Sequence, residues 1–245
     1  MFVDGISAEN FPIRSFLMIG QSNMAGRGEI GDVEPIVNPD CFLLRMGRWQ
    51  KMSEPINPDR AIFNGEFRCG IGLAASFADQ LSRECKMQVG LIPCADGGTS
   101  IDQWMPGELL FDHAVMQTRL AMRTSQFSGI LWHQGESDCN DDESLLAHKA
   151  KFVTMITALR RELNAEEVPL IIGELSHCYD PARGLEDRPM RMNEAYRTLE
   201  KELPFCKVAS AKGLNMKADG LHFNASSCRV FGERYFEKWL ELDQK

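Results

Sequence analysis

Six short apolar runs, separated by longer stretches of helical spacing, most constrain what this chain can fold into. The runs Ser15 to Ile19, Cys41 to Arg45, Gln88 to Pro93, Gly129 to His133, Pro169 to Glu174 and Cys206 to Ser210 are rich in Ile, Leu or Val and too short for helices. Continuous apolar character suits strands buried on both faces, the condition of a parallel sheet. Between them, apolar residues recur at helical spacing in Ile71 to Cys85, His113 to Phe127, Ser144 to Leu163, Met190 to Leu203 and Ala225 to Leu242. The alternation predicts βαβ units, hence an α/β chain with a mostly parallel sheet and helices on both faces. Gly and Pro gather in Gly28 to Pro39, Pro55 to Gly70 and Pro181 to Pro189, read as long loops over one edge of the sheet. No repeat or linker breaks the pattern, and residues 1–245 are expected to form a single domain.

Composition narrows what such a sheet serves. Lys and Arg number 27 against 35 Asp and Glu, a net charge of −8, whereas nucleic-acid binders carry a basic face. No nucleic-acid partner is expected. No run approaches the roughly 18 to 20 apolar residues of a membrane span, so no membrane partner is expected either. Met1 to Arg14 lacks the basic start and apolar run of a secretory signal. As written the chain reads as cytoplasmic; a leader trimmed away would leave secretion open. Its eight cysteines stand singly without a Cys-x-x-Cys pair, the pattern of reduced thiols rather than of a zinc or redox motif. Oligomeric state is not legible.

In open α/β sheets ligands bind beyond the carboxyl ends of the strands, and four segments in that position are chemically unusual. Gly20-Gln21-Ser22-Asn23-Met24 follows the first run. A serine on such a turn is placed to act as a nucleophile, and equally to cap a helix; the second glycine of a Gly-x-Ser-x-Gly elbow is missing. After the third run comes Asp96-Gly97-Gly98-Thr99-Ser100, with Trp104 beyond it. Paired glycines let the Gly98 amide approach a ligand, and also make a plain turn. His133-Gln134-Gly135-Glu136-Ser137-Asp138 ends the fourth run. So many polar groups are costly to bury unless bonded together, as at an active site, or they cap a helix. The adjoining Asp138, Asp141, Asp142 and Glu143 do not match the EF-hand spacing and read as a solvated helix start, so no metal is assigned. Finally, Asp219-Gly220-Leu221-His222 precedes the last helical stretch. A carboxylate three residues from an imidazole can orient it as a general base toward a serine.

With these segments in this order, the chain resembles the sialate O-acetylesterase and acetylxylan esterase group, the sixth carbohydrate esterase family, within the SGNH hydrolase superfamily. The matching motifs run from Gly20 to Phe223, and Gly70 to Ala78 is similar to the family's helix before the third strand. The resemblance implies a flavodoxin-like, three-layer α/β/α sandwich around a five- or six-stranded mostly parallel sheet, with no cofactor. It implies a serine esterase that removes acetyl groups from an acetylated saccharide through an acyl-enzyme. In that reading Ser22 attacks, His222 is the base, and Asp219 orients it, with Glu136 as the alternative acid. The amides of Ser22 and Gly98 with the Gln134 side chain form the oxyanion hole, Gln134 standing in for an asparagine found elsewhere in the superfamily. Asn23, Thr99, Trp104 and His133 are assigned to substrate binding. A catalytically silent carbohydrate-binding protein and an SGNH lipase or thioesterase are the rival readings.

Overall fold

The computed structural model describes residues 13–58 and 68–243, with the backbone of two short strands before them. Those two, Phe2–Val3 (β1) and Ile6–Ser7 (β2), pair antiparallel. Part of the expected loop Pro55 to Gly70 therefore lies outside the described residues.

Side-chain alternation along Ile13–Gly20 (β3) divides the core in two. Phe16 and Met18 point into one apolar cluster, Leu17 and Ile19 into the other, each no more than 1% exposed. The first cluster is closed by helices Ala74–Cys85 (α2) and Ala225–Asp243 (α6), where Trp239 meets Phe16 edge-on at 5.6 Å and donates to the Ser128 carbonyl at 2.9 Å. The second is closed by Leu109–Ala121 (α3), Asp142–Glu162 (α4) and Arg188–Glu202 (α5), with Trp132 edge-on to Trp104 at 5.7 Å and to Phe152 at 5.2 Å. Each such ring pair adds about 0.5–1.5 kcal/mol beyond the area it buries. Helices on both faces of one sheet make three layers. The helix expected at His113 to Phe127 begins earlier and stops at Ala121, because Phe127 already belongs to the next strand.

Seven strands form the main sheet, where five or six were expected. Besides β3 they are Cys41–Arg45 (β4), Arg48–Lys51 (β5), Gln88–Pro93 (β6), Gln126–His133 (β7), Leu170–Gly173 (β8) and Cys206–Ala209 (β9), in the order β5-β4-β6-β3-β7-β8-β9. All neighbours are parallel except β4 and β5, an antiparallel hairpin on the edge. β5 escapes the sequence pattern because Arg48, Gln50 and Lys51 are exposed and only Trp49 is half-buried. Without this hairpin the five remaining strands run 2-1-3-4-5, and the chain reverses direction across the sheet at β3. The loops after β6 and β7 thus open on either side of the end of β3. Among the described residues no helix is long and apolar enough to cross a membrane.

Candidate active site

β3 ends at Gly20, which pairs with His133 at the end of β7. Its φ is +129°, and a Cβ there would lie 2.0 Å from the His133 carbonyl oxygen, so only glycine lets the two strand ends approach this closely. The next amide, of Gln21, donates to that carbonyl at 2.8 Å, and the Gln21 side chain accepts from the Ser137 amide at 3.3 Å. The chain then turns into the short helix Ser22–Ala25 (α1). Ser22, only 6% exposed, is thereby held at the switch point of the sheet.

The turn before α6 delivers an imidazole. His222 places Nε2 3.0 Å from Ser22 Oγ, and its Nδ1 lies 2.8 Å from Asp219 Oδ2. A carboxylate can only accept, so Nδ1 carries the proton and Nε2 presents its lone pair to the serine. Asp219 Oδ1 also accepts the amides of Leu221 at 2.9 Å and His222 at 3.0 Å. Partial burial pushes the Asp219 carboxyl up, but the bonds it accepts from His222 and from these amides outweigh that and hold it at about 2. The turn itself is pinned by Lys217, whose amide donates to the His222 carbonyl at 2.7 Å, and by Arg183, which donates to the Asp219 carbonyl.

Beside Ser22 and His222 opens a cavity of about 420 Å³ whose walls include Gly97, Gly98, Glu136, Leu185 and Leu221. Gly98 takes φ +75°, again a glycine conformation. Among the described residues, no hydrogen bond occupies the backbone N–H of Ser22 or of Gly98. A serine hydroxyl, an imidazole oriented by a carboxylate and unoccupied amide donors thus stand around one cavity.

The family model for carbohydrate esterases, described as sialic acid-specific acetylesterase, matches residues 12–241. The chain belongs to this carbohydrate esterase family. A probable carbohydrate esterase of Arabidopsis thaliana, At4g34215, is 30% identical over 235 residues, covering 88% of this chain and 86% of its own. Its crystal structure is similar at a TM-score of 0.82 and 26% identity, over 94% of this chain and 98% of that one. NanS has a similar fold at a TM-score of 0.75 and 16% identity, covering 96% and 98% of the two chains. So has XAC1771 of Xanthomonas citri, described as a carbohydrate acetylesterase, at 0.63 and 17%, over 92% of this chain and 55% of that one.

This carbohydrate esterase departs from the sequence reading at several positions. Gln134 is fully buried and spends both amide hydrogens inward, on the Thr99 carbonyl at 2.9 Å and Asp138 Oδ2 at 2.6 Å, so it has no donor left for an oxyanion. Trp104 is 1% exposed; its indole donates to Thr99 Oγ1 at 3.0 Å and packs on Trp132 instead of offering a face to a sugar. Thr99 is buried with it, its hydroxyl donated to the Asp96 carbonyl at 2.8 Å. His133 is enclosed between Phe223 and Phe231, and burial pushes its pKa down toward the neutral ring. Asn23, 2% exposed, faces the protein and not the cavity. None of these four side chains lines the cavity.

Glu136 does line the cavity, but its Oε1 accepts from Asn23 Nδ2 at 2.6 Å, and no bond joins it to His222. Asp219 is the carboxylate in contact with His222. Asp138 sits in a buried network with Gln134, His148 and the Ile101 amide, while Asp141 caps α4 through the Ser144 amide at 2.7 Å. Among the described residues no group of three or more His, Cys, Asp or Glu side chains could hold a metal ion. Arg27, Asn140 and Arg183 also line the cavity. Neither periodicity nor motif marks them in the sequence: Arg27 and Asn140 stand in loops and Arg183 ends a single 3₁₀ turn, Pro181–Arg183.

Proposed function

We propose that this carbohydrate esterase removes O-acetyl groups from acetylated saccharides, of acetylxylan or sialate type, through an acyl-enzyme on Ser22, with residues 1–245 acting as one catalytic domain. The observation that carries the reading is the continuous chain Ser22 Oγ to His222 Nε2 at 3.0 Å and His222 Nδ1 to Asp219 at 2.8 Å. Ser22 Oγ attacks the acetyl carbonyl as His222 Nε2 takes its proton. Asp219, ionised down to about pH 2, balances the imidazolium that forms. The negative charge on the carbonyl oxygen is received by the amides of Ser22 and Gly98. Collapse of this intermediate breaks the ester bond, and His222 returns the proton to the departing sugar oxygen. Water, deprotonated by the same imidazole, then releases acetate and restores the serine.

Support for a short acyl group comes from the family and from XAC1771, both described as acetylesterases. The side chains that would recognise the sugar lie in the loops that carry Arg27, Asn140 and Arg183. The test is acetate release from p-nitrophenyl acetate and from a panel of acetylated xylan and sialic acid substrates, with Ser22→Ala alongside. Release by the wild type and a loss of several orders of magnitude in the folded variant are expected. A variant keeping more than about a tenth of the activity, a loss under roughly 1.4 kcal/mol, would show that Ser22 is not the nucleophile.

A further inference from the structure

Asp219 orients the His222 ring, but it does not set how far that ring stands from Ser22. The two residues belong to one turn, so they move together. The distance must be set by bonds that cross between the Ser22 segment and the His222 segment. Asn23, the residue after Ser22, makes two of them. Its Oδ1 accepts the Phe223 amide at 3.1 Å and its Nδ2 donates to the Leu221 carbonyl at 3.3 Å. Leu221 and Phe223 are the two chain neighbours of His222, so one side chain grips the backbone of the base on both sides. Another crossing bond, from Lys217 Nζ to the Arg27 carbonyl at 2.8 Å, lies five residues from each reacting group.

Shape alone would let the Asn23 amide turn over, exchanging its oxygen and nitrogen. The Phe223 amide can only donate, so it requires the oxygen. On the other side Glu136 Oε1 accepts from Nδ2 at 2.6 Å. This short bond requires the nitrogen on that side and so reinforces the same orientation. Glu136 is 4% exposed and bonds neither His222 nor Ser22; its hydrogen bond to Asn23 links it to the segments that carry both. We infer that Asn23 and Glu136 form a positioning pair that holds His222 at its working distance from Ser22, an inference that rests on the esterase reading above.

A donor–acceptor exchange tests the pair. Asn23→Asp removes the donor and sets two carboxylates face to face; kcat on p-nitrophenyl acetate is expected to fall at least about tenfold with KM within roughly twofold. Glu136→Gln keeps an acceptor and is expected to stay within about fivefold of wild type. In the double variant the introduced glutamine donates to the introduced aspartate, and kcat is expected to rise at least about threefold above Asn23→Asp alone, short of full recovery because the aspartate cannot donate to the Leu221 carbonyl. The His222 ring resonances, followed by NMR in the same four proteins, read the geometry without turnover. They should shift in Asn23→Asp and move part of the way back in the double variant. Folded Asn23→Asp with wild-type kcat, a double variant no better than Asn23→Asp, or unmoved ring resonances would each overturn the pair. A wild type inert on every acetyl ester would instead refute the esterase reading, with the ring resonances still deciding the pair.

Discussion

His222 Nε2 stands 3.0 Å from Ser22 Oγ although 200 positions of chain separate the two residues. The serine is delivered by the central strand β3, the imidazole by the turn before α6, and neither segment is a site without the other. The distance between them therefore depends on how these two segments of the fold are brought together.

Asp219→Asn should lower kcat on an acetyl ester by at least about a hundredfold, about 2.7 kcal/mol, by removing the charge that balances the imidazolium and disturbing the tautomer. Glu136→Gln should cost much less. Assaying both variants on one ester checks the assignment; a larger loss at Glu136, with Asp219→Asn almost neutral, would transfer the orienting role to Glu136.

The depressed Asp219 carboxyl also predicts how stability depends on pH. Its folded value of about 2 lies below the ordinary 3.8, so the native state favours the ionised form. That contribution is fully present above about pH 4 and is lost as pH falls toward 2. Denaturant midpoints of wild type and Asp219→Asn should therefore differ at pH 5 and converge toward pH 2. A difference that stays constant across this range would mean the carboxylate gains nothing from its bonds in the folded protein.

Trp104→Ala should act on stability and not on sugar recognition. Removing a buried tryptophan typically costs about 3–5 kcal/mol. Thermal or denaturant unfolding should register that loss, while KM for an acetylated sugar stays within about twofold in the protein that remains folded. A raised KM with unchanged stability would restore Trp104 as a stacking platform.

Chelation by EDTA should leave esterase activity unchanged, because the steps drawn on Ser22, His222 and the two amides require no Lewis acid. Activity lost on chelation and regained with a divalent ion would direct attention to the acidic stretch from Asp138 to Glu143.

The fold was legible wherever burial on two faces left an uninterrupted apolar run: the expected bounds of Cys41–Arg45 and Gln88–Pro93 coincide with β4 and β6. β5 was not, because a strand covered on one edge alone carries no such run, and Arg48-Trp49-Gln50-Lys51 reads as loop. At the site, Ser22, Asp219 and His222 could be read because strand ends and a tight turn dictate where they stand. The direction of a side chain within a polar cluster is another matter. Gln134 and Glu136 lie two residues apart, yet one turns into the Asp138 network and the other toward Asn23. Spacing does not encode that choice; the hydrogen-bond partners do, and they come from distant parts of the chain.

The polar edge strand carries its own consequence. A parallel sheet that ended at β4 would present an apolar, regular border able to capture a strand from another molecule. β5 replaces it with a four-residue border whose Arg48 and Lys51 are exposed, the second with its ammonium 4.5 Å from the Phe42 ring. A short, cationic margin repels its own copies and offers little length to pair with. Neutralising Arg48 and Lys51 together is therefore expected to favour self-association through this edge, away from β8 and β9, without touching Ser22 or His222.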